Sequence, residues 1–109
     1  MRSTAKGDGM QILTYQFPAD QHPTRRVHVG VVASGDVEIL LEATDSDGAT
    51  VRVRTSVDGF DTVWRDVLQR FFNQTPLAGS WELNDSGATP GVVVLRLRQA
   101  AETALAGSS

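Results

Sequence analysis

The sequence predicts an α+β fold: an about five-stranded, largely antiparallel sheet with two helices packed on it. Three observations predict it. Apolar residues fall on every second position in several runs between residues 13 and 57, and a stretch at 60–72 repeats them at spacings of three and four. A later run opens on Thr89-Pro90, a capping residue followed by proline at the first helical position. The order strands, helix, strand, helix, with short turns between the early strands, excludes a helical bundle.

The elements follow in order. Leu13, Tyr15 and Phe17 alternate with Thr14 and Gln16 in a first strand that Pro18 closes, and residues 19–24 with Pro23 form a loop. Val27, Val29, Val31 and Ala33 then lead into a corner, and Val37, Ile39 and Leu41 lead out of it, all on odd numbers. Putting both odd sets on one face opposes Ala33 to Val37, Val31 to Ile39 and Val29 to Leu41, which leaves the three-residue loop Ser34-Gly35-Asp36. The other face then carries His28 opposite Glu42 and Gly30 opposite Leu40. Thr44-Asp45-Ser46-Asp47-Gly48 is an acidic turn rather than a calcium loop, because aligning Gly48 to the required glycine puts Ala43 and Arg54 at the first and last ligand positions.

Val51, Val53, Thr55 and Val57 resume the alternation as a fourth strand. The helix at about 59–73 presents Phe60, Val63, Trp64, Val67, Leu68, Phe71 and Phe72 as one broad apolar face for the core, with Asp58 and Asp61 at its positive end. Residues 75–79 connect it to a short fifth strand on which Trp81 and Leu83 face inward, and 85–87 end that strand. From Thr89 the run reads as a second helix with an Ala-rich end, although 93–98 also alternate and leave a strand open over part of 92–98.

At 109 residues the chain has the size of one domain with a single core, here 10–106, between polar tails at 1–9 and 107–109. A net charge of -3 gives no footprint for nucleic acid or an anionic membrane, and neither is expected as a partner. The chain has no cysteine, which removes thiolate chemistry and disulfides and fits a cytoplasmic location. Residues 1–9 contain no apolar segment of a secretory signal, and no run approaches the roughly 18 apolar residues of a membrane span.

The corner 30–36 is the candidate site, because Ser34 stands at its exposed tip beside a glycine. Turn chemistry alone also places Ser-Gly-Asp at a hairpin tip, and the local pattern does not separate the two readings. A nucleophile elbow needs glycines two residues either side of the serine, where Val32 and Asp36 stand. His22 and His28 lack metal-ligand spacing, and no phosphate-binding glycine motif is present. What remains is an accessible, unactivated hydroxyl, suited to being modified by another enzyme rather than to catalysis.

Several stretches together carry a resemblance: Phe17-Pro18-Ala19, Val29-Gly30-Val31-Val32-Ala33-Ser34-Gly35-Asp36-Val37-Glu38-Ile39-Leu40-Leu41-Glu42, Thr55-Ser56-Val57-Asp58-Gly59, Trp64 with Phe72, and Gly87-Ala88-Thr89-Pro90-Gly91-Val92. Collinear over residues 11–102, they resemble the acyl carrier protein (delta subunit) of bacterial malonate decarboxylase, with the citrate lyase carrier subunit as the nearest alternative. Ala33 departs from the glycine frequent before the serine in that family. The resemblance implies a non-catalytic carrier, not of the four-helix type, whose Ser34 bears a covalently attached 2'-(5''-phosphoribosyl)-3'-dephospho-CoA arm for acetyl and malonyl thioesters, with Gly35 and Asp36 supporting the turn. It also implies the acyl-carrier transferase and decarboxylase subunits and a prosthetic-group transfer enzyme as partners. An unmodified interaction module is the alternative from another class, and a small serine hydrolase is a third.

Overall fold

The computed structural model describes residues 10–56 and 60–106. The tails read at 1–9 and 107–109, and the expected places of Val57, Asp58 and Gly59, lie outside the described residues. Strands β1 (Gln11–Phe17), β2 (Val27–Val29), β3 (Asp36–Glu42) and β4 (Ala49–Thr55) precede helix α1 (Asp61–Gln74), strand β5 (Gly79–Ser86) and helix α2 (Pro90–Leu105). The sheet order is β1-β4-β5-β3-β2. Only β4 and β5 run parallel, and α1 is the crossover that a parallel pair requires; the other neighbours are antiparallel. The expected α+β class is thus the observed one.

Alternation decides which face each strand buries. Val37, Ile39 and Leu41 of β3, Val51 and Val53 of β4, and Trp81 and Leu83 of β5 are all fully buried beneath the helices. Each large apolar side chain withdrawn from water in this way contributes about 1.5–3 kcal/mol. From above, α1 inserts Trp64, Leu68, Phe71 and Phe72, and the Phe72 ring stacks on Phe17 at 4.9 Å while meeting Trp81 edge-on at 5.3 Å. Of the face expected in the core, Trp64, Leu68, Phe71 and Phe72 are buried, whereas Phe60, just before the helix, and Val63, in its first turn, are 51% and 41% exposed. The Trp81 indole N–H donates to the Leu77 carbonyl at 3.1 Å, so its polar edge is satisfied inside. Asp61, in the first turn of α1, accepts from the Tyr15 hydroxyl at 2.5 Å; burial first, then this bond, raises the tyrosine pKa above its ordinary value.

The run open between helix and strand is helical throughout. Thr89 accepts from the Val92 N–H at 3.3 Å with Pro90 behind it, and Val93, Leu97, Ala100, Ala101 and Ala104 recur at helical spacing on the buried side. At the far end, the Thr24 hydroxyl donates to the Ala104 carbonyl at 2.7 Å and Arg25 to the Ala106 carbonyl at 2.8 Å, supplying partners that a helix C-terminus otherwise lacks.

Two further expectations are corrected. Strand β2 pairs with β3 as Val27 to Leu41, His28 to Leu40 and Val29 to Ile39, two residues away from the expected register. The connecting loop is therefore residues 30–35, Asp36 belongs to β3, and Val31 and Val32 are 56% and 64% exposed. The chain turns at Gly30, whose φ of 75° favours glycine and where a Cβ would lie 2.0 Å from the Val37 carbonyl oxygen. His28 consequently reaches Glu38 at 2.8 Å rather than Glu42, which pairs with Arg26 at 3.1 Å. Strand β5 also runs on through Asp85 to Ser86. Asp85 can be buried there because one carboxylate oxygen accepts from the Thr55 hydroxyl and the other from the Ala88 N–H, both at 2.9 Å.

Candidate functional site

Residues 30–35 form a short loop at the end of the sheet where β4 and β5 finish and both helices begin. Within it the Asp36 N–H donates to the Ala33 carbonyl at 3.0 Å, closing a turn with Ser34 and Gly35 at its centre. Gly35 has φ 81°, and a Cβ placed on it would meet nothing within 4 Å. The backbone conformation, rather than lack of room, is what calls for glycine. The Gly35 N–H donates to the Ser86 carbonyl at 2.7 Å, which ties the loop tip to the last residue of β5.

Asp36 sets the loop from its other side. Its carboxylate forms a two-pronged pair with Arg96 of α2, Nε to Oδ1 and Nη2 to Oδ2 each at 2.8 Å. Oδ1 also accepts from the Val37 N–H at 2.8 Å and Oδ2 from the Val31 N–H at 3.3 Å. Charge-assisted bidentate pairs of this kind fix orientation as well as distance. The Arg96 bond, then the Val37 N–H, lower the Asp36 pKa from 3.8 to about 2. Arg96 is held in turn by Gln99, which accepts from Nη1 at 2.7 Å.

Ser34 itself is exposed at the tip. Both histidines are engaged elsewhere, His28 with Glu38 and His22 with Asp47, each at 2.8 Å. The Asp36 carboxylate is committed to its four donors. Both imidazoles and the Asp36 carboxylate are thus each taken up by other partners. The arrangement presents an exposed serine on a loop tied by hydrogen bonds to β3, β5 and α2.

All three sequence-predicted residues, Ser34, Gly35 and Asp36, come together here, but the residue that organises them, Arg96, was not read from the sequence. Its signal was a charge on the margin of a helical apolar face, one position before Leu97 and three after Val93. Such a position asks for a partner without naming it. Ser86 and Gly87 were likewise read only as a strand end. Gly87 forms one rim of an apolar groove of about 250 Å³ between the first turns of the two helices, with Phe60, Val63, Trp64, Ala88, Pro90 and Val93 among its walls.

The family model described as "Malonate decarboxylase delta subunit (MdcD)" matches residues 24–104. The chain is 49% identical over 105 residues to a malonate decarboxylase acyl carrier protein of Stenotrophomonas maltophilia, covering 92% of this chain and 99% of that one. It is 48% identical over 94 residues to the protein of the same name from Pseudomonas savastanoi pv. phaseolicola, covering 85% and 95%. Its fold is similar to that of a chain in the crystal structure of a Pseudomonas malonate decarboxylase hetero-tetramer in complex with malonate. That match has a TM-score of 0.78 and 46% identity, and covers 84% of this chain and 96% of the other.

Proposed function

The chain belongs to the malonate decarboxylase acyl carrier protein (delta subunit) family, and we propose that it serves there as the non-catalytic carrier, with Ser34 Oγ as the covalent attachment point. The observation that carries this reading is an exposed serine on a loop pinned at Asp36, Val31 and Gly35 to strand, helix and neighbouring strand alike. The residues fit a 2'-(5''-phosphoribosyl)-3'-dephospho-CoA group joined through a phosphodiester, since Ser34 is exposed and the space beside Gly35 is open. When bound, that group supplies the thiol that a cysteine-free chain lacks, on which acetyl or malonyl is held as a thioester.

The chain's own contribution is mechanical and electrostatic. Gly35 permits the turn, and Asp36, neutralised by Arg96, keeps a free carboxylate from confronting a phosphodiester. A fixed pivot lets a tethered acyl group visit successive partner sites at an effective concentration on the order of millimolar. Those sites belong to the transferase and decarboxylase subunits, and a separate enzyme attaches the arm. We place the protein in the cytoplasm; no helix of the described residues is long and apolar enough to cross a membrane.

Intact mass of the protein produced with its attachment enzymes tests the reading. An adduct is expected on the wild type and none on Ser34→Ala. Unmodified wild-type chain in an active decarboxylase complex would overturn it and favour an interaction module.

A further inference from the structure

The groove between the first turns of α1 and α2 has no role in holding the serine loop, yet it opens beside it. A Cβ placed on Gly87, at its rim, would lie 3.9 Å from the Gly35 backbone nitrogen, and Gly35 follows Ser34 directly. Two of its wall residues, Phe60 and Val63, are 51% and 41% exposed, so large apolar surfaces are left in water next to a deep core. The carboxylate at its floor, Asp85, is fully engaged by Thr55 and Ala88 and offers little to a cation. The slot thus presents aromatic, aliphatic and proline surfaces, the chemistry that receives a flat, weakly hydrated ring.

Resting on the reading of Ser34 as the attachment point, we infer that this groove receives the adenine of the tethered arm. In a phosphoribosyl-dephospho-CoA group the adenosine follows the linking phosphate and ribose, whereas the thiol lies a whole pantetheine further out. Adenine is therefore the flat group that the tether keeps nearest to the Gly87 rim. Because the docking is intramolecular, modest contact with Phe60, Val63 and Pro90 suffices to populate it. Seating the ring would anchor the proximal half of the arm and leave the distal half to swing between partner sites.

The experiment uses loaded full-length protein with labelled valine methyl groups, its adduct first verified by intact mass. Nuclear Overhauser contacts are expected from the adenine H2 or H8 protons to the Val63 and Val93 methyls. The contacts to the Val93 methyls, which both variants retain, should be lost in Phe60→Ala and in Val63→Asp, both changes at solvent-exposed positions, while the adduct and the backbone spectrum of the sheet persist. Absence of the adduct itself would strike the Ser34 reading and remove the ground for this one. A verified adduct whose adenine protons show no groove contacts would overturn the groove assignment alone. Contacts from the pantetheine methyls in their place would overturn it equally.

Discussion

The two oxygens of Asp36 accept from four donors drawn from the start of the loop, the start of β3 and the middle of α2. Protonation would weaken each of those bonds, so the folded state holds the carboxyl at about 2 against an ordinary 3.8. The folded value is the lower one. The stabilisation is therefore complete above pH 3.8 and is lost as pH falls from there towards 2. An NMR titration of the Asp36 carboxyl is expected to give a midpoint near 2, and Arg96→Leu should bring it back up towards 3.8, because the Arg96 bond is the largest cause. As pH falls through the same interval, the protection of the Val31 amide relative to its intrinsic exchange rate at each pH should drop in the wild type. A midpoint that Arg96→Leu leaves in place would mean that backbone donors alone hold the charge.

At the scale of elements, the loop 30–35 separates two accounts of the same residues. If Val31 opposed Ile39 on the buried face, truncating it would cost about 1.5–3 kcal/mol, the usual contribution of an inward valine. In the structure Val31 and Val32 both face solvent. Val31→Ser and Val32→Ser are each expected to change stability by less than about 0.5 kcal/mol in denaturant unfolding, as exposed positions do. The sequence revealed the face but not the ladder length, because a register shift of two residues keeps every side chain on the same side of the sheet. Odd-numbered residues therefore pair with odd-numbered ones in both accounts, and the ladder stops at Val29 where Gly30 takes a positive φ in a space that admits no Cβ beside Val37. Helix α2 was legible through its Thr89-Pro90 start. The reach of β5 through Asp85 was not, since an aspartate reads as a turn residue until Thr55, 30 positions earlier, is known to meet it. Arg96 escaped for the same reason, its partner lying 60 residues away.

For the molecule as a whole, the seat of α2 on the sheet governs the site, because this one helix supplies both the arginine that holds the serine loop and a wall of the groove. That seat is built from small residues: Ala100 and Ala104 are fully buried against the core, one and two turns beyond Arg96. Enlarging Ala100 to leucine should cost about 1–3 kcal/mol by overpacking. Since packed elements move as bodies rather than yielding locally, part of that strain is expected to displace α2 and loosen the Arg96 fork. Ala100→Leu should therefore speed exchange of the Val31 amide under conditions where the chain remains folded, although residue 100 does not belong to the loop. The comparison that decides it is with Leu68→Ala, a core change on α1 chosen to have a similar loss of global stability. If both variants speed Val31 exchange equally, global opening accounts for the effect and the loop is not coupled to the helix seat. Faster exchange in Ala100→Leu alone would establish that α2 transmits its position to the serine.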